Sequence, residues 1–372
     1  MENSFTCKKY GTCLDIKYRC DNKVDCPDDE SDEIGCEPFI PNSGYDKRHP
    51  PKTTNFSIDV SLDILDIYHI EELQYQYKIR FRLIMKWFDP RITFNHLHEH
   101  TPNNLLQDEF KHLWMPELSF GKSVNGEKTI IDEDLGVKIE RTVGDPDNDK
   151  EVLTYDGKSN AIITSRSYNL EHQCRFNLRD FPFDKQFCYF EITIPERLKD
   201  QFKLNLEKVE EQPIELIQYN KLESLWSHSK NVERINVILR FEREFVGQLF
   251  ITYLPTLCLI AITELTLIID PGRFEATIMV ALTSKLVMYT LYQSVEASLP
   301  QTAYLKLIDI WLLMGLLLPF AIMLILIAVD KGLMNGKAIK TIKIAIPLVT
   351  IHLILIYIFN ALFCVFDKRV PN

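Results

Sequence analysis

Four long apolar runs occupy the C-terminal third of this 372-residue chain, and no other feature of the sequence limits the fold as strongly. The runs cover residues 246–269, 276–298, 304–329 and 342–366. Each is long enough for the roughly 20 helical residues that cross the hydrocarbon core of a bilayer. The mean hydropathy of −0.09 does not reveal them, because residues 1–245 are polar. We therefore predict a protein of the lipid bilayer with four membrane helices and a large water-facing part.

The distribution of charge limits the partners and indicates the orientation. The 42 basic and 52 acidic side chains give a formal net charge of −10, whereas a nucleic-acid surface needs clustered lysine and arginine, so we expect no nucleic-acid partner. Short basic loops stay in the cytoplasm, and the segment between the third and fourth runs carries Lys331, Lys337, Lys340 and Lys343. With four spans, both termini are then extracellular, which predicts a multi-pass protein of the plasma membrane.

Five of the nine cysteines lie within the first 36 residues, a segment too small for an extensive hydrophobic core. This density is typical of disulfide-bonded modules in oxidising compartments. Zinc is the alternative, although the segment has no histidine and no Cys-x-x-Cys pair. The sequon at Asn55 predicts glycosylation and fits an extracellular location. No apolar leader follows Met1, so we expect the numbering to begin within a precursor.

The segment from Cys7 to Cys36 resembles a low-density-lipoprotein-receptor class A module. The motifs that carry the resemblance are Cys20-Asp21, Asp25-Cys26 and Ser31-Asp32-Glu33. The resemblance implies the disulfides Cys7–Cys26 and Cys20–Cys36. One cysteine of the family's set is missing, and its place would fall before Met1, which leaves Cys13 without its usual partner.

The same resemblance implies bound calcium, a hard cation that takes about six to eight oxygen ligands. The implied ligands are the side chains of Asp21, Asp25, Asp32 and Glu33 and the backbone carbonyls of Tyr18 and Lys23. The alternative is a disulfide knot with a solvated acidic face and no metal. In either case the module would have a structural role, and no catalytic cofactor is expected.

Residues 56–245 alternate between apolar and polar side chains, which is the pattern of half-buried β-strands. The longest series places on one face Tyr75, Tyr77, Ile79, Phe81, Leu83, Met85 and Trp87. Shorter series contain Ile235, Val237, Leu239 and Phe241, and Phe202, Leu204 and Leu206. Such strands, separated by turns rich in Gly, Asn and Asp, predict an antiparallel β-sandwich. No motif of a serine hydrolase, a zinc protease or a phosphate-binding loop is present, so no enzymatic activity is predicted.

One stripe of the second apolar run mixes small polar side chains with one large apolar residue near its middle. At spacings of four and three residues it contains Met279, Thr283, Leu286, Thr290, Gln293 and Ala297. A helix that faces lipid has no use for threonine and glutamine there, whereas a helix that lines water does. One helix cannot enclose a pore, so this interpretation requires several copies around an axis. Leu286 would form a hydrophobic ring that blocks ions by dewetting, and Glu275 a charged ring at the cytoplasmic mouth. Ordinary helix packing, which also favours small polar residues, is the alternative.

A second resemblance extends over residues 56–366. Cys174 and Cys188 enclose 13 residues that include Phe181-Pro182-Phe183-Asp184, and this segment, the Cys loop, resembles the signature of the Cys-loop receptors, which are pentameric ligand-gated ion channels. Further matching motifs are Trp87-Phe88-Asp89-Pro90-Arg91, Trp114-Met115-Pro116-Glu117 and Leu299-Pro300-Gln301-Thr302-Ala303-Tyr304. The resemblance implies a Cys174–Cys188 disulfide, a homopentamer or heteropentamer, an extracellular β-sandwich and four helices per subunit, the second of which lines the pore. Trp87 and Trp114 are expected in the sandwich core.

The resemblance also implies functional residues outside the pore. A cluster that couples the sandwich to the membrane would consist of Glu72, Asp184, Arg243 and Pro300, because an arginine between carboxylates can hold a bidentate ion pair and transmit a displacement. A purely structural salt bridge is the alternative. The positions of the family's binding aromatics correspond to Arg82, Phe120 and Trp226. The lack of a full aromatic cage favours an unknown small acidic or amphipathic ligand over an amine.

The residues around the pore helix bear on ion selectivity. The Pro-Ala-Arg motif of the family's anion channels is absent, and Phe274-Glu275-Ala276 resembles the acidic mouth of its cation-conducting members. Rings of Glu275 and, at the outer end, Glu296 would attract cations, so we predict cation conduction. Lys285 lies beside the stripe, and because an intramembrane lysine is costly, we predict an ion pair with Glu264.

The predicted architecture is thus a multi-domain membrane protein. Residues 1–36 form a disulfide-rich module, 37–55 a proline-rich linker, 56–245 an extracellular ligand-binding β-sandwich and 246–366 a four-helix transmembrane pore domain. The predicted function is that of a subunit of a ligand-gated channel, with the ligand bound between subunits. The alternative is a ligand-binding or adhesion receptor of the same fold that does not conduct alone or needs a partner subunit.

Overall fold

The computed structural model of the chain describes residues 4–21, 23–98, 102–124, 129–130, 135–142, 147–149, 152–214, 216–269 and 273–366. The strands are β1 (Ser4–Thr6), β2 (Cys13–Asp15), β3 (Phe39–Pro41), β4 (Ser57–Glu71), β5 (Gln76–Phe88), β6 (Ile92–Asn95), β7 (Asn103–Asn104), β8 (Ser119–Gly121), β9 (Thr129–Ile130), β10 (Gly136–Glu140), β11 (Asp147–Asp149), β12 (Val152–Asp156), β13 (Ala161–Gln173), β14 (Lys185–Thr193), β15 (Lys203–Glu211), β16 (Tyr219–Leu225), β17 (Ser229–Val232) and β18 (Arg234–Arg243). The helices are α1 (Gln107–Phe110), α2 (Val246–Leu265), α3 (Phe274–Ser298), α4 (Leu307–Asp330) and α5 (Gly336–Phe366).

The middle of the chain forms a sandwich of β-sheets. One sheet has the order β17-β15-β4-β5-β13-β10-β7, with β9 paired to β13, and the other has the order β16-β18-β14-β8. A smaller sheet, β11-β12-β6-β3, extends the fold. The two main sheets pack against each other through aromatic side chains, since the ring centroids of Phe81 on β5 and Phe190 on β14 are 4.7 Å apart. The predicted β-sandwich is confirmed.

The predicted alternation is seen in the long strands. β5 buries every second side chain from Tyr77 to Trp87, and β18 buries Ile235 to Phe241 in the same way, because successive side chains of a strand point to opposite faces. Tyr75 is an exception to the predicted series: it precedes β5, has a φ of +58° and is 38% exposed. The strand therefore begins at Gln76, one residue after the start of the alternating pattern, because the backbone at Tyr75 is not extended.

Two tryptophans lie in the sandwich core, as predicted. Trp87 and Trp114 are 0% and 4% exposed, and their rings meet edge to face with centroids 6.0 Å apart. Beside them, the buried Asp89 carboxylate accepts two hydrogen bonds from the Arg91 guanidinium, at 2.9 and 2.7 Å. The tryptophan motif thus contributes core packing and one charge-balanced turn.

The N-terminal region is small and disulfide-rich. The hairpin of β1 and β2 packs Phe5 and Leu14 against the Cys7–Cys26 disulfide, and a second disulfide joins Cys20 to Cys36. Both predicted pairings are confirmed, as is Cys174–Cys188 in the sandwich. Cys13 is a free, exposed thiol.

Four of the helices, α2 to α5, are long and apolar enough to cross a membrane. Their ends differ from those of the apolar runs: α2 ends at Leu265, and α5 begins at Gly336, so that Lys337, Lys340 and Lys343 are helical. Hydropathy marks the part of a helix that suits lipid, whereas backbone hydrogen bonding continues into polar flanks. Within α2, Leu249–Tyr253 is a π-helical turn that precedes Pro255, where the proline removes a backbone donor.

Candidate functional site

One face of α3 is exposed along the length of the helix. Its members are Glu275, Met279, Thr283, Leu286, Thr290, Gln293 and Ala297, here called the pore stripe. Leu286, near the middle, is 63% exposed. The hydroxyls of Thr283 and Thr290 donate to backbone carbonyls of the preceding turn, at 3.0 and 2.8 Å. The stripe therefore presents exposed polar and apolar groups along one face of α3.

The opposite face of α3 packs inside the subunit. Its buried residues are Thr277, Ala281, Ser284 and Met288. Met288 is 0% exposed and lies against Gly315 of α4, where an added Cβ would be 3.0 Å from the Met288 sulfur. Close helix packing in this subunit thus uses the buried face and leaves the pore stripe outside it.

The charged residues of α3 are placed differently from expectation. Lys285 lies with its Nζ 4.5 Å from the centroid of the Phe320 ring on α4, and among the described residues Oε1 of Glu264 has no hydrogen-bond partner. The predicted Lys285–Glu264 ion pair is therefore wrong for a single subunit. The prediction rests on the similar depth of the two side chains in the membrane. Depth does not fix how each helix is rotated about its axis, and this rotation decides which side chains meet.

Glu296 also differs from the expected outer ring. Its carboxylate lies 3.3 Å from the Nζ of Lys306, a buried lysine that also lies 3.4 Å from Asp309. Lys306 is thus shared between two carboxylates, and Glu296 forms its ion pair inside the subunit. Glu275 is exposed in the first turn of α3, where an acidic side chain also stabilises a helix N-terminus.

Three of the four residues predicted to couple the sandwich to the membrane form a compact, buried group with Tyr219. This group, here called the junction cluster, consists of Glu72, Asp184, Tyr219 and Arg243. The Arg243 guanidinium donates to both oxygens of Asp184, at 2.6 and 3.1 Å, and also to Glu72. The Tyr219 hydroxyl donates to Glu72 at 2.8 Å. Sequence reasoning missed Tyr219, whose only signal is its position in a strand that pairs with β18 opposite Arg243.

Burial and neighbouring negative charge shift the pKa of Arg243 in opposite directions. Burial lowers the pKa of Arg243, but the nearby carboxylates of Asp184 and Glu72 outweigh it and raise the pKa well above its usual value. Burial raises the pKa of Tyr219, so the hydroxyl stays protonated and able to donate. The Arg243 guanidinium is planar and carries several N–H donors, which suits two carboxylates. It therefore holds together three segments that are far apart in sequence.

The Cys loop docks on the start of α4. The backbone N–H groups of Leu307 and Ile308 donate to the carbonyls of Arg179 and Phe181, at 2.7 and 3.2 Å. The N–H of Leu178 donates to the Tyr304 hydroxyl at 3.1 Å. Pro300 is buried where the chain leaves α3. These hydrogen bonds join the Cys loop directly to the segment that follows α3.

The three candidate ligand residues lie on separate elements. Phe120 is on β8 and packs on Tyr168, with ring centroids 4.9 Å apart, while Trp226 follows β16 at the other edge of that sheet. Arg82 is exposed on β5 of the other sheet, opposite Asp63 of β4. One subunit does not bring the three together.

The acidic residues of the N-terminal region mostly accept backbone hydrogen bonds. Asp32 is fully buried: its Oδ2 accepts from the N–H of Asp25 at 2.6 Å, while its Oδ1 and the Oδ2 of Asp25 have no hydrogen-bond partner among the described residues. Asp21 and Glu33 accept from the amides of Lys23 and Asp21, both at 2.9 Å. No three His, Cys, Asp or Glu side chains in the described ranges are grouped to hold a metal. The two orphaned oxygens are the groups that a cation would satisfy.

Comparison with known proteins identifies the family. Residues 40–244 match the model of the neurotransmitter-gated ion-channel ligand binding domain, which is more than half of the chain. The chain therefore belongs to the neurotransmitter-gated ion-channel family, the Cys-loop receptors. It is a multi-pass membrane protein, and family membership confirms that it is not an enzyme.

Several curated relatives match both the sandwich and the membrane part. The chain is 23% identical over 295 residues to the glutamate-gated chloride channel subunit beta of Haemonchus contortus, a match that covers 73% of this chain and 64% of the relative. It is 19% identical over 281 residues to the serotonin-gated chloride channel mod-1 of Caenorhabditis elegans, covering 73% and 54%. It is 22% identical over 321 residues to the human glycine receptor subunit beta, covering 80% and 60%. The chain thus spans less than two thirds of these relatives, and the comparisons lend no support to cation selectivity.

Proposed function

We propose that this chain is a subunit of an extracellular ligand-gated ion channel whose pore is lined by α3. The observation that carries the proposal is the exposed pore stripe, which lies opposite the packed face of the same helix in a member of this family. A ring of stripes from several subunits would bury Leu286 around an axis and leave the hydroxyls of Thr283 and Thr290 toward water. The Cys loop and the junction cluster would transmit ligand binding to this helix.

The test is Leu286→Ser with currents recorded from oocytes that express the chain. A polar ring in place of the leucine ring should remove the dewetted barrier and produce larger or longer currents, with or without a ligand. Leu313→Ser is the matched control, because Leu313 is also exposed but lies on α4. Silence of Leu286→Ser despite surface expression would favour a receptor of the same fold that conducts only with a partner subunit.

Two selectivities are considered, cation conduction and anion conduction, and each is supported by a different observation. Cation conduction rests on the exposed Glu275 at the mouth of the pore stripe. Anion conduction is favoured by the relatives that are chloride channels, and by the ion pair that joins Glu296 to Lys306. Reversal potentials decide between them: a shift when sodium is replaced supports the first, and a shift when chloride is replaced supports the second. Glu275→Gln should weaken sodium permeation only in the first case.

For assembly, we propose a pentamer, with a homopentamer as the simplest form. The separation of Arg82 from Phe120 and Trp226 on two different sheets suits a small-molecule site built by two neighbouring subunits. Chemical cross-linking of the purified chain should then give a ladder that ends at five subunits. A second gene product in the ladder would indicate a heteropentamer.

For the N-terminal region, we propose a class A-type module that binds calcium through Asp32 and Asp25. The orphaned buried oxygens of these two residues support this assignment. Calcium titration of the full chain by calorimetry should show binding that Asp32→Asn abolishes. Asp28→Asn is the matched control, because Asp28 is exposed in the same region. Equal heats for both variants would favour a knot without metal.

We also propose that Asn55 carries a glycan in the extracellular space. Asn55 is exposed just before β4. Treatment with a glycosidase that releases Asn-linked glycans should increase the electrophoretic mobility of the wild-type chain and leave Asn55→Gln unchanged.

A further inference from the structure

A cavity of about 970 Å³ lies where the sandwich meets the membrane helices. Its walls come from the β4–β5 loop, the residue that follows β8, the start of the Cys loop, β14 and the loop between α3 and α4. It contains no member of the pore stripe or the junction cluster and none of the three candidate ligand residues. Its volume lies at the upper end of the range of about 300–1,000 Å³ that is usual for small-molecule sites.

The charged side chains that line this cavity are positive. Among the described residues that line it, Lys122 and Arg175 are the only ones with charged side chains, and both are exposed. The Nζ of Lys122 lies 5.2 Å from the centroid of the Tyr189 ring. The rest of the lining consists mainly of aromatic rings and amides, including Tyr75 and Tyr304. Two cations beside aromatic surface, with no lining carboxylate, suit an anion that has an apolar body.

The backbone around the cavity is held in a strained shape. Tyr75 and Lys122 have φ values of +58° and +61°, in the left-handed region that side chains other than glycine rarely adopt. Their carbonyls accept hydrogen bonds from Cys174 and Gln173, at 2.7 and 3.0 Å. Both strained residues are therefore tied to consecutive positions at the start of the Cys loop. Strained backbone of this kind is common at ligand clamps, and here the two hydrogen bonds hold the Tyr75 and Lys122 backbone at the cavity wall.

The opposite wall belongs to the segment that follows the pore helix. Thr302 and Tyr304 line the cavity, and the Tyr304 hydroxyl accepts from the N–H of Leu178 in the Cys loop. A ligand in the cavity would therefore touch the Cys loop and the α3–α4 loop at once. We propose that this cavity binds an amphipathic anion, a carboxylate, sulfonate or phosphate on an apolar body, with Arg175 and Lys122 as the anion-binding residues.

The test measures binding alone, so its result does not depend on whether the chain conducts. 4-Phenylbutyrate is titrated into the full chain in phosphatidylcholine nanodiscs by calorimetry, with the uncharged 4-phenylbutyramide as the comparison probe. We expect Arg175→Gln and Lys122→Gln each to weaken binding of the acid by about tenfold or more, because each removes a charge-assisted contact. Arg175→Lys keeps the charge and should lose less. Lys138→Gln, an exposed lysine on β10 outside the cavity, is the matched control and should change nothing.

A free anion and a lipid headgroup share this chemistry, and lipid composition distinguishes them. If phosphatidylglycerol in the nanodiscs competes with 4-phenylbutyrate, and the Arg175→Gln, Lys122→Gln double variant removes that competition, the site takes a lipid headgroup. If phosphatidylglycerol does not compete, the site takes a soluble anion. Equal affinity for the acid and the amide, an unchanged affinity in the double variant, or no binding by the wild-type chain in either lipid overturns the proposal.

Discussion

The junction cluster and the pore stripe both contain polar groups near the membrane. In the first these groups are buried and bonded to one another, whereas in the second they are exposed. In the junction cluster, Arg243, Asp184 and Glu72 are each less than 10% exposed and bonded to one another. In the pore stripe, Leu286 and Met279 are more than half exposed, and the nearby threonines bond only to their own helix. The first group is complete within one chain, whereas the second is not.

This difference indicates what each region does for the protein. Removing one member of a closed, buried network leaves its partners without compensation, so the cost falls on the stability of the fold. Removing an exposed side chain leaves no buried gap in the subunit, so its effect should fall on what the assembled ring does. The four predictions below separate stability from function, from the largest expected change in unfolding free energy to the smallest.

Arg243→Ala should have the largest effect. It leaves the buried carboxylates of Asp184 and Glu72 without their cation, which we expect to lower the free energy of unfolding by about 3–5 kcal/mol. Thermal unfolding of the detergent-solubilised chain measures the loss. Arg48→Ala is the control, because the Arg48 side chain is 81% exposed beside Asp46 and water screens that ion pair, so this substitution should leave the stability nearly unchanged. Similar losses of stability in Arg243→Ala and Arg48→Ala would mean that Arg243 does not compensate buried carboxylates.

Acid should destabilise the sandwich through a buried histidine. Burial between Tyr77 and Phe190 lowers the pKa of His172 from 6.5 to about 4, so the unfolded state binds the proton more readily than the folded state. Stability present above pH 6.5 is then lost as the pH falls toward 4, by about 3 kcal/mol from this group. His172→Phe should flatten the acid limb of a stability profile. His228→Gln, on an exposed loop, should leave the profile as in the wild type, and a steep limb in both variants would assign the acid sensitivity to other groups.

Tyr219→Phe should have a moderate effect on the junction cluster. It removes the hydroxyl that donates to Glu72 at 2.8 Å but leaves the ring and the Arg243 ion pairs, so we expect a loss of about 1 kcal/mol. Tyr10→Phe, at a tyrosine that is 67% exposed, is the comparison. If Tyr219→Phe cost as much as Arg243→Ala, the tyrosine and not the arginine would hold the cluster together.

Leu286→Ser should change the stability of the subunit least, by less than about 0.5 kcal/mol, while it changes the current most. Met288→Ser is the contrast on the other face of α3, because Met288 is fully buried against Gly315 and its loss leaves a gap. Unfolding of the dissociated subunit gives the first quantity and oocyte recording the second. Greater destabilisation by Leu286→Ser than by Met288→Ser would break the distinction between the two faces.

Much of the molecule follows from local pattern. The strands of the sandwich were predictable because a period of two fixes which side chains face the core, as in β5. The four membrane helices were predictable because a bilayer accepts only long apolar segments with satisfied backbones. The pore stripe could be read from the spacing of threonine and glutamine, and the coupling residues from the resemblance around the Cys loop.

Other features depended on how elements lie against each other. Lys285 meets Phe320 instead of Glu264, and Glu296 is held by Lys306, because helix rotation is set by packing and not by depth along the helix. Tyr219 joins the junction cluster through pairing of β16 with β18, and the cavity beside the Cys loop is assembled from five separate segments of the chain.

The sequence by itself determined the solvent of each part of this protein: water for the disulfide-rich region and the sandwich, lipid for the four helices. It could do so because hydropathy and side-chain period are properties of short segments. Only the tertiary structure decided which charges pair with one another and which segments enclose the cavity beside the Cys loop. Those outcomes depend on distances of a few ångströms between residues far apart in the chain, and no local pattern specifies such distances.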